Sequence, residues 1–484
     1  MSRTALATAL LCLLALPAHA AGTPAADAAR VRAAVEAWAP RQAALAQAIW
    51  ERPELGYQET TASALLQAAL REAGFSVEAG VAGIPTAFVA RAGRRGKGPV
   101  IALLAEMDAL PGMSQQAVPQ RLPFEGQDAG HACGHNLFGA GVVGAARAIA
   151  QWLRESGRDG EVRVYGTPAE EGGSGKVYMV RAGLFDDVDV ALHWHPADAN
   201  SAVQSTSLAN LSGKFRFRGV AAHAAISPER GRSALDGVEA FNHMANLMRE
   251  HVPDGTRIHY AITDGGRAPN VVPAYAEVYY YVRHPDGNVV REVFERLHDA
   301  ARGAALGTGT QVEFEPLGGV HALLPNDTLG RVLDRALRQV GGVAYDASER
   351  GFATQLQATL ERRPPLESAL EVAPYRADER GLASTDVGDV SQVVPTAGIA
   401  TATWVPGTPA HSWQAVAASG MSIGHRGTLN AAAALALAAV ELYSDPELVR
   451  AARREFEQRR GGAPYRPLLQ RERPPLDYRT SPSP

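Results

Sequence analysis

The sequence predicts an α/β protein interrupted by a ferredoxin-like insertion. Three observations carry that reading. Between Phe75 and His193, short apolar runs alternate with helical patterns, the mark of an α/β domain. From Gly213 to Pro316 the elements fall in the order β-α-β-β-α-β, which is the ferredoxin-like arrangement. From Leu329 onward, helix and strand alternation resumes.

Taken in order, residues 25–48 are Ala-rich with few breakers and predict a helix. A turn at 53–57 leads to a second helix over 60–74. Strands are expected at 75–77, 86–90 and 100–105, a helix over 139–154, and strands at 162–165 and 188–193. In the insertion, strands are expected at 213–218, 257–262, 276–283 and 311–316, with helices over 232–251 and 288–306. The expected division is 25–208 and 323–460 for the two parts of a larger domain, with 209–322 inserted between them. Residues 461–484 form a Pro- and Arg-rich tail that caps the surface or stays loose.

The N-terminus reads as a signal peptide over residues 1–20. Arg3 supplies positive charge, residues 5–16 an apolar run, and Ala18-His19-Ala20 a small-residue cleavage site. A periplasmic or secreted protein is expected. The run is too short to span a bilayer, and no other stretch is long and apolar enough, so no membrane span is expected. Cleavage removes Cys12 and leaves Cys133 as a single thiol, with no internal disulfide. A net charge of −4 gives no basic surplus for nucleic acid.

Several motifs carry candidate chemistry. In GHACGHN, Cys133 and His135 are two apart and would share a face of an extended segment. Thiolate and imidazole suit zinc or a similar divalent ion. Glu170 and Glu171 follow an apolar strand, where one can bind metal while the other handles protons. A strand ends in His193 and His195, another in Glu106 and Asp108, and His411 sits in a distant turn. Two divalent ions sharing one bridging group need about that many ligands. In the insertion, His223 and Asn270 can donate to a developing oxyanion and Arg283 can grip a carboxylate.

Eight motifs in order, WERPELGYQE, GHACGHN, GTPAEEGGSGK, FDDVDVALHWHP, RGVAAHAAISPERGRSALD, GGRAPNVVP, ASTDVGDVS and GTPAHSW, resemble the aminoacylase and glutamate-carboxypeptidase family of two-metal peptidases. The similarity is greatest to the branch that hydrolyses aminobenzoyl-glutamate. The resemblance implies a metallopeptidase catalytic domain whose insertion is a lid and dimerisation domain. It implies Cys133, His135, Glu171, His195 (or His193) and His411 as metal ligands, two ions of Mn or Zn, and Glu170 as general base. Asp108 matches the aspartate that supports the site. His223 matches a lid histidine that crosses a dimer interface to the scissile carbonyl. Asn270 and Arg283 match substrate-binding lid residues, and Asp386 and Asp389 fall where relatives place supporting acids. The implied reaction is hydrolysis of the amide of a small carboxylate-bearing substrate. A dipeptidase, an N-acyl amino acid hydrolase and an inactive binding protein are the alternatives. A homodimer through the insertion and a partnership with a related A subunit are both open.

Overall fold

The computed structural model describes residues 23–479, so the expected signal peptide lies outside the described residues. Ten strands are described: β1 (Ser76–Ala79), β2 (Phe88–Arg94), β3 (Val100–Ala105), β4 (Gly160–Gly166), β5 (Val190–Ala197), β6 (Ala209–Arg218), β7 (Arg257–Asp264), β8 (Tyr275–His284), β9 (Gln311–Val320) and β10 (Thr396–Ala402). The helices that frame them are α1 (Ala25–Trp50), α2 (Thr60–Glu72), α3 (His135–Ser156), α4 (Gly175–Arg181), α5 (Ala234–Met248), α6 (Gly287–Thr308), α7 (Asp327–Val340), α8 (Ala347–Gln357), α9 (Val387–Ser391), α10 (Trp413–Ser419), α11 (Ser422–Ser444) and α12 (Pro446–Arg460).

Two sheets organise these elements, as the sequence predicts. The larger runs β1-β2-β4-β3-β5-β10. Its β4, β3, β5 and β10 are mutually parallel, while β2 and β1 close one edge antiparallel. The six residues of β3, VIALLA, are all buried, the continuous apolar run expected of a central parallel strand covered on both faces. On one face α1, α3 and α11 pack together. Their approach is close because α3 carries glycines: a Cβ on Gly144 would lie 2.2 Å from the Gln42 Oε1 of α1. Contrary to the sequence expectation that no stretch beyond the N-terminal run is long and apolar enough to cross a membrane, helix α11 is, but 83% of its apolar window is buried inside the protein, as in a core helix.

The smaller sheet, β7-β8-β6-β9, is antiparallel throughout. Strand β6 alternates. Phe215 and Phe217 bury into the core formed with α5 and α6, while Lys214, Arg216 and Arg218 face outward to Glu277, Glu315 and Glu313. Strand β7 lies at the sheet edge, and six of its eight residues are exposed. The described part of the tail is not loose: Leu468 and Leu469 are buried in the cores of the small and large sheets respectively.

Candidate metal centre

The four parallel strands end on one side of the large sheet, where ligands collect in open α/β folds. Beyond β3 stand Glu106 and Asp108, beyond β4 Glu170 and Glu171, near the end of β5 His193 and His195, and in the turn after β10 His411. The loop entering α3 adds Cys133 and His135. Donor atoms of Cys133, His135 and His195 lie within 4.8 Å of one another, as do those of Cys133, Glu171 and His411. Cys133 belongs to both groups. Glu106, His135 and Glu170 form a third group at the same spacing.

The GHACGHN loop departs from the extended segment expected of it. Gly134 adopts a left-handed φ of 73° and His135 is already the first residue of α3. A glycine at 134 permits that reversal, and the turn rather than a strand pleat brings the sulfur and imidazole to one point. Backbone strain collects around the same centre. Ala169, Ser174 and His411 have φ of 58°, 59° and 57°, conformations a non-glycine residue keeps only where its surroundings enforce them.

The second nitrogens of the histidines fix their tautomers. His195 Nδ1 faces the Pro196 carbonyl at 2.7 Å, and His135 Nδ1 faces the Asp108 carbonyl and carboxylate at 3.1 and 3.0 Å. These oxygens accept, so each Nδ1 donates and each Nε2 is turned inward, toward Cys133 Sγ and Glu106 Oε2, the orientation metal-ligating histidines use. His195 Nε2 lies 3.4 Å from Cys133 Sγ. His193 goes elsewhere. It sits against β10, where a Cβ on Gly398 would come 2.4 Å from its Nε2, and burial pulls it down to about 4. The geometry gathers His195, not His193, with Cys133.

The donor set fits divalent ions. The buried His135 Nε2 and Glu171 Oε1 lack an aligned hydrogen-bond partner, although Glu106 Oε2 and His411 Nε2 stand 3.1 Å from them. Burial disfavours ionisation of Cys133, yet the His195 and His135 imidazoles hold its thiol well below the usual range. The Cys133 thiol and the Glu171 carboxyl beside it push His411 up to about 10. Burial, then Glu106 and Glu171, raises Glu170 well above the usual carboxyl range. Carboxyl, thiol and imidazole groups thus crowd together where cations would bind.

Asp108 supports the centre from both sides. Its Oδ1 takes His135 Nδ1 and its Oδ2 accepts the Glu171 amide at 2.8 Å. Lys176 carries no motif signal of its own in the sequence. It is fully buried and pairs with Glu106 and Asp386, each at 2.7 Å. Asp386 also accepts the Lys176 amide at 2.9 Å. Glu106 connects this triad to His135. Asp389 lies apart, accepting from the His321 amide and the Tyr465 hydroxyl at 2.9 and 2.7 Å.

The sequence profile of Peptidase family M20/M25/M40 matches residues 102–386. The chain belongs to this family. It is 43% identical over 459 residues to the B subunit of p-aminobenzoyl-glutamate hydrolase of Escherichia coli, covering 89% of this chain and 95% of that protein. It is 32% identical over 435 residues to the Xaa-Arg dipeptidase of mouse, covering 87% and 89% respectively. Its fold is similar to that of a dinuclear metal-binding M20 peptidase of Bacillus subtilis, with a TM-score of 0.54 at 20% identity, covering 83% of this chain and 99% of that one. Family membership and the paired ligand groups make this M20/M25/M40 chain a two-metal amidohydrolase.

The insertion of this M20/M25/M40 peptidase carries the remaining candidates. His223 is exposed after β6; its Nδ1 accepts from the Ala225 and Ile226 amides at 3.2 Å each, leaving Nε2 to donate. Asn270 is exposed beside it, its carbonyl accepting from Ala224 at 3.0 Å. Arg283 is the penultimate residue of β8, bonds Ser384 Oγ at 3.2 Å and lies over the Tyr281 ring. With Arg257 and His259 it lines an open cavity of about 350 Å³.

Proposed function

We propose that this protein hydrolyses the amide bond of a small substrate whose amine side bears a free carboxylate, with p-aminobenzoyl-glutamate as the first candidate. The observation that carries the reading is Glu170, a half-buried carboxylate with an oxygen within 4.8 Å of donor atoms on His135 and Glu106. In this reading Cys133, His135, Glu171, His195 and His411 hold two divalent ions. The thiolate favours zinc, with manganese as the other candidate. Bound, such ions supply Lewis acidity that polarises a carbonyl and acidifies water. Glu170 takes a proton from the attacking water and returns it to the leaving nitrogen. His223, through Nε2, and Asn270 donate to the developing oxyanion. Arg283, in a cavity that also holds Arg257 and His259, selects the carboxylate.

His223 is exposed, and its ring bonds the amides of its own loop, which suits a homodimer in which His223 serves the partner's centre. Exposed Tyr260 and Ile262 on the edge strand β7, with Met244 and Leu247 on α5, suit such an interface. The segment around Arg3 and Ala20 supports export to the periplasm, checked by the N-terminal sequence of the mature protein. A dipeptidase is the second reading, favoured by the likeness to the Xaa-Arg dipeptidase.

The test is release of glutamate from p-aminobenzoyl-glutamate by the purified chain, with and without chelator. Chelator-sensitive release by the chain alone is expected. Metal-loaded protein that leaves this substrate intact while cleaving dipeptides would replace the first reading with the second.

A further inference from the structure

The segment beyond α12 is held along its length. Tyr465 donates to Asp389, and the Arg466 carbonyl meets His321 Nε2 at 2.8 Å. Leu468 enters the core of the small sheet and Leu469 that of the large one. Arg471 pairs with Glu315 of β9 at 3.4 Å, while its carbonyl accepts from Arg181 at 2.6 Å. Next, the carbonyls of Arg473 and Leu476 accept from Tyr178 and Gln58 at 3.2 and 2.7 Å. A strap therefore runs from the lid sheet across the large domain.

It arrives at the turn that bears Glu170 and Glu171. The Tyr478 hydroxyl and Arg479 Nη2 both donate to the Glu171 carbonyl, at 3.2 and 2.6 Å. Tyr57 meets Tyr478 edge-on at 5.7 Å between centroids and donates to the Gly173 carbonyl at 2.6 Å. The Arg479 guanidinium lies 5.0 Å from the centre of the Tyr478 ring. The fit leaves little slack: a Cβ on Gly56 would lie 2.4 Å from the Tyr478 hydroxyl.

This turn needs to be held, because Ala169, Gly172 and Ser174 have φ of 58°, 101° and 59°. Asp108 fixes the amide of Glu171, and the strap fixes its carbonyl. A guanidinium donor is roughly twice as strong as a neutral one.

We infer that the strap of residues 461–479, through Tyr478 and Arg479, positions the Glu170–Glu171 turn, so that metal affinity and turnover depend on a segment remote from every ligand in sequence. The inference rests on Glu171 as a ligand and Glu170 as the base. Tyr478 and Arg479 are positioning residues: they touch the Glu171 carbonyl, not the reacting atoms.

The experiment uses the full chain with Tyr478→Phe, Arg479→Gln, both together, and Arg479→Lys. Zinc is titrated calorimetrically into metal-stripped protein, thermal unfolding is followed without metal, and kcat and KM are measured on p-aminobenzoyl-glutamate. The double variant should bind the weaker zinc about tenfold less tightly, with lower kcat, little change in KM and an unchanged metal-free unfolding temperature. Arg479→Lys should restore most of the affinity. Titrations that superimpose on those of the parent would overturn the inference. So would losses that merely track unfolding, with Lys no better than Gln. If the parent binds two zinc ions yet cleaves no amide, the proposed reaction fails while the titration still decides the role of the strap.

Discussion

Two buried polar clusters in this protein have opposite characters. On the outer face of the small sheet, Glu277 accepts from Lys214 at 2.9 Å, Arg216 at 2.7 Å, Thr263 at 2.7 Å and Tyr275 at 3.2 Å. Burial opposes its charge, yet Lys214, Thr263 and Arg216 hold the carboxyl down at about 2. In the metal centre the same residue type behaves otherwise: burial and neighbouring acids push Glu170 up, and buried ligand atoms lack aligned partners. A cluster whose lone pairs are all answered is architecture. One that gathers acids, a thiol and imidazoles and leaves atoms such as His135 Nε2 and Glu171 Oε1 without an aligned partner is a receptor for positive charge.

The largest effect that would break this contrast is at Glu170. Glu170→Gln should lower kcat by about 10³-fold while metal analysis still finds two ions per chain. Unchanged turnover would remove Glu170 from the reaction. Next comes the pair on β5. His195→Ala should weaken metal binding by more than the roughly 100-fold that loss of a supporting partner gives, whereas His193→Ala should keep both ions, as read by metal content after dialysis. Arg283→Met should raise KM by about 10- to 100-fold for a carboxylate substrate and much less for its amide analogue.

The smallest effect belongs to the satisfied cluster. Glu277→Gln should cost about 2 kcal/mol of stability in denaturant titration and leave metal content untouched. Its sign with pH follows from linkage. The folded carboxyl titrates at about 2 and its ordinary value is 4.5, so its stabilisation is complete above about 4.5 and is lost as pH falls toward 2. Glu277→Gln should flatten acid unfolding in that window.

The strand-end residues were legible because a chemical residue that closes an apolar run has few other reasons to be there. Glu170, Glu171, His195 and Asp108 all follow that pattern. The GHACGHN loop was legible in its chemistry but not its shape, since period-two spacing says nothing about the left-handed Gly134. Lys176 escaped because a lysine in a glycine-rich turn reads as exposed; only the fold reveals Glu106 and Asp386 beside it. His193 and His195 stayed ambiguous until Gly398, paired with His193 across β5 and β10, showed which ring lies against the neighbouring strand. Tyr478 and Arg479 left no local signal, because their partner is a backbone carbonyl far away in the chain.

That last distance sets a clock. The bond from Arg479 to the Glu171 carbonyl joins residues 308 positions apart. At ribosomal speeds of about 5–20 residues per second, the Glu171 turn emerges roughly 15 to 60 s before the strap that clamps it. During synthesis the strands of the large sheet can form while this turn is still unclamped. The strap's contacts, being so non-local, belong among the late events of folding, and full metal affinity should arrive with them.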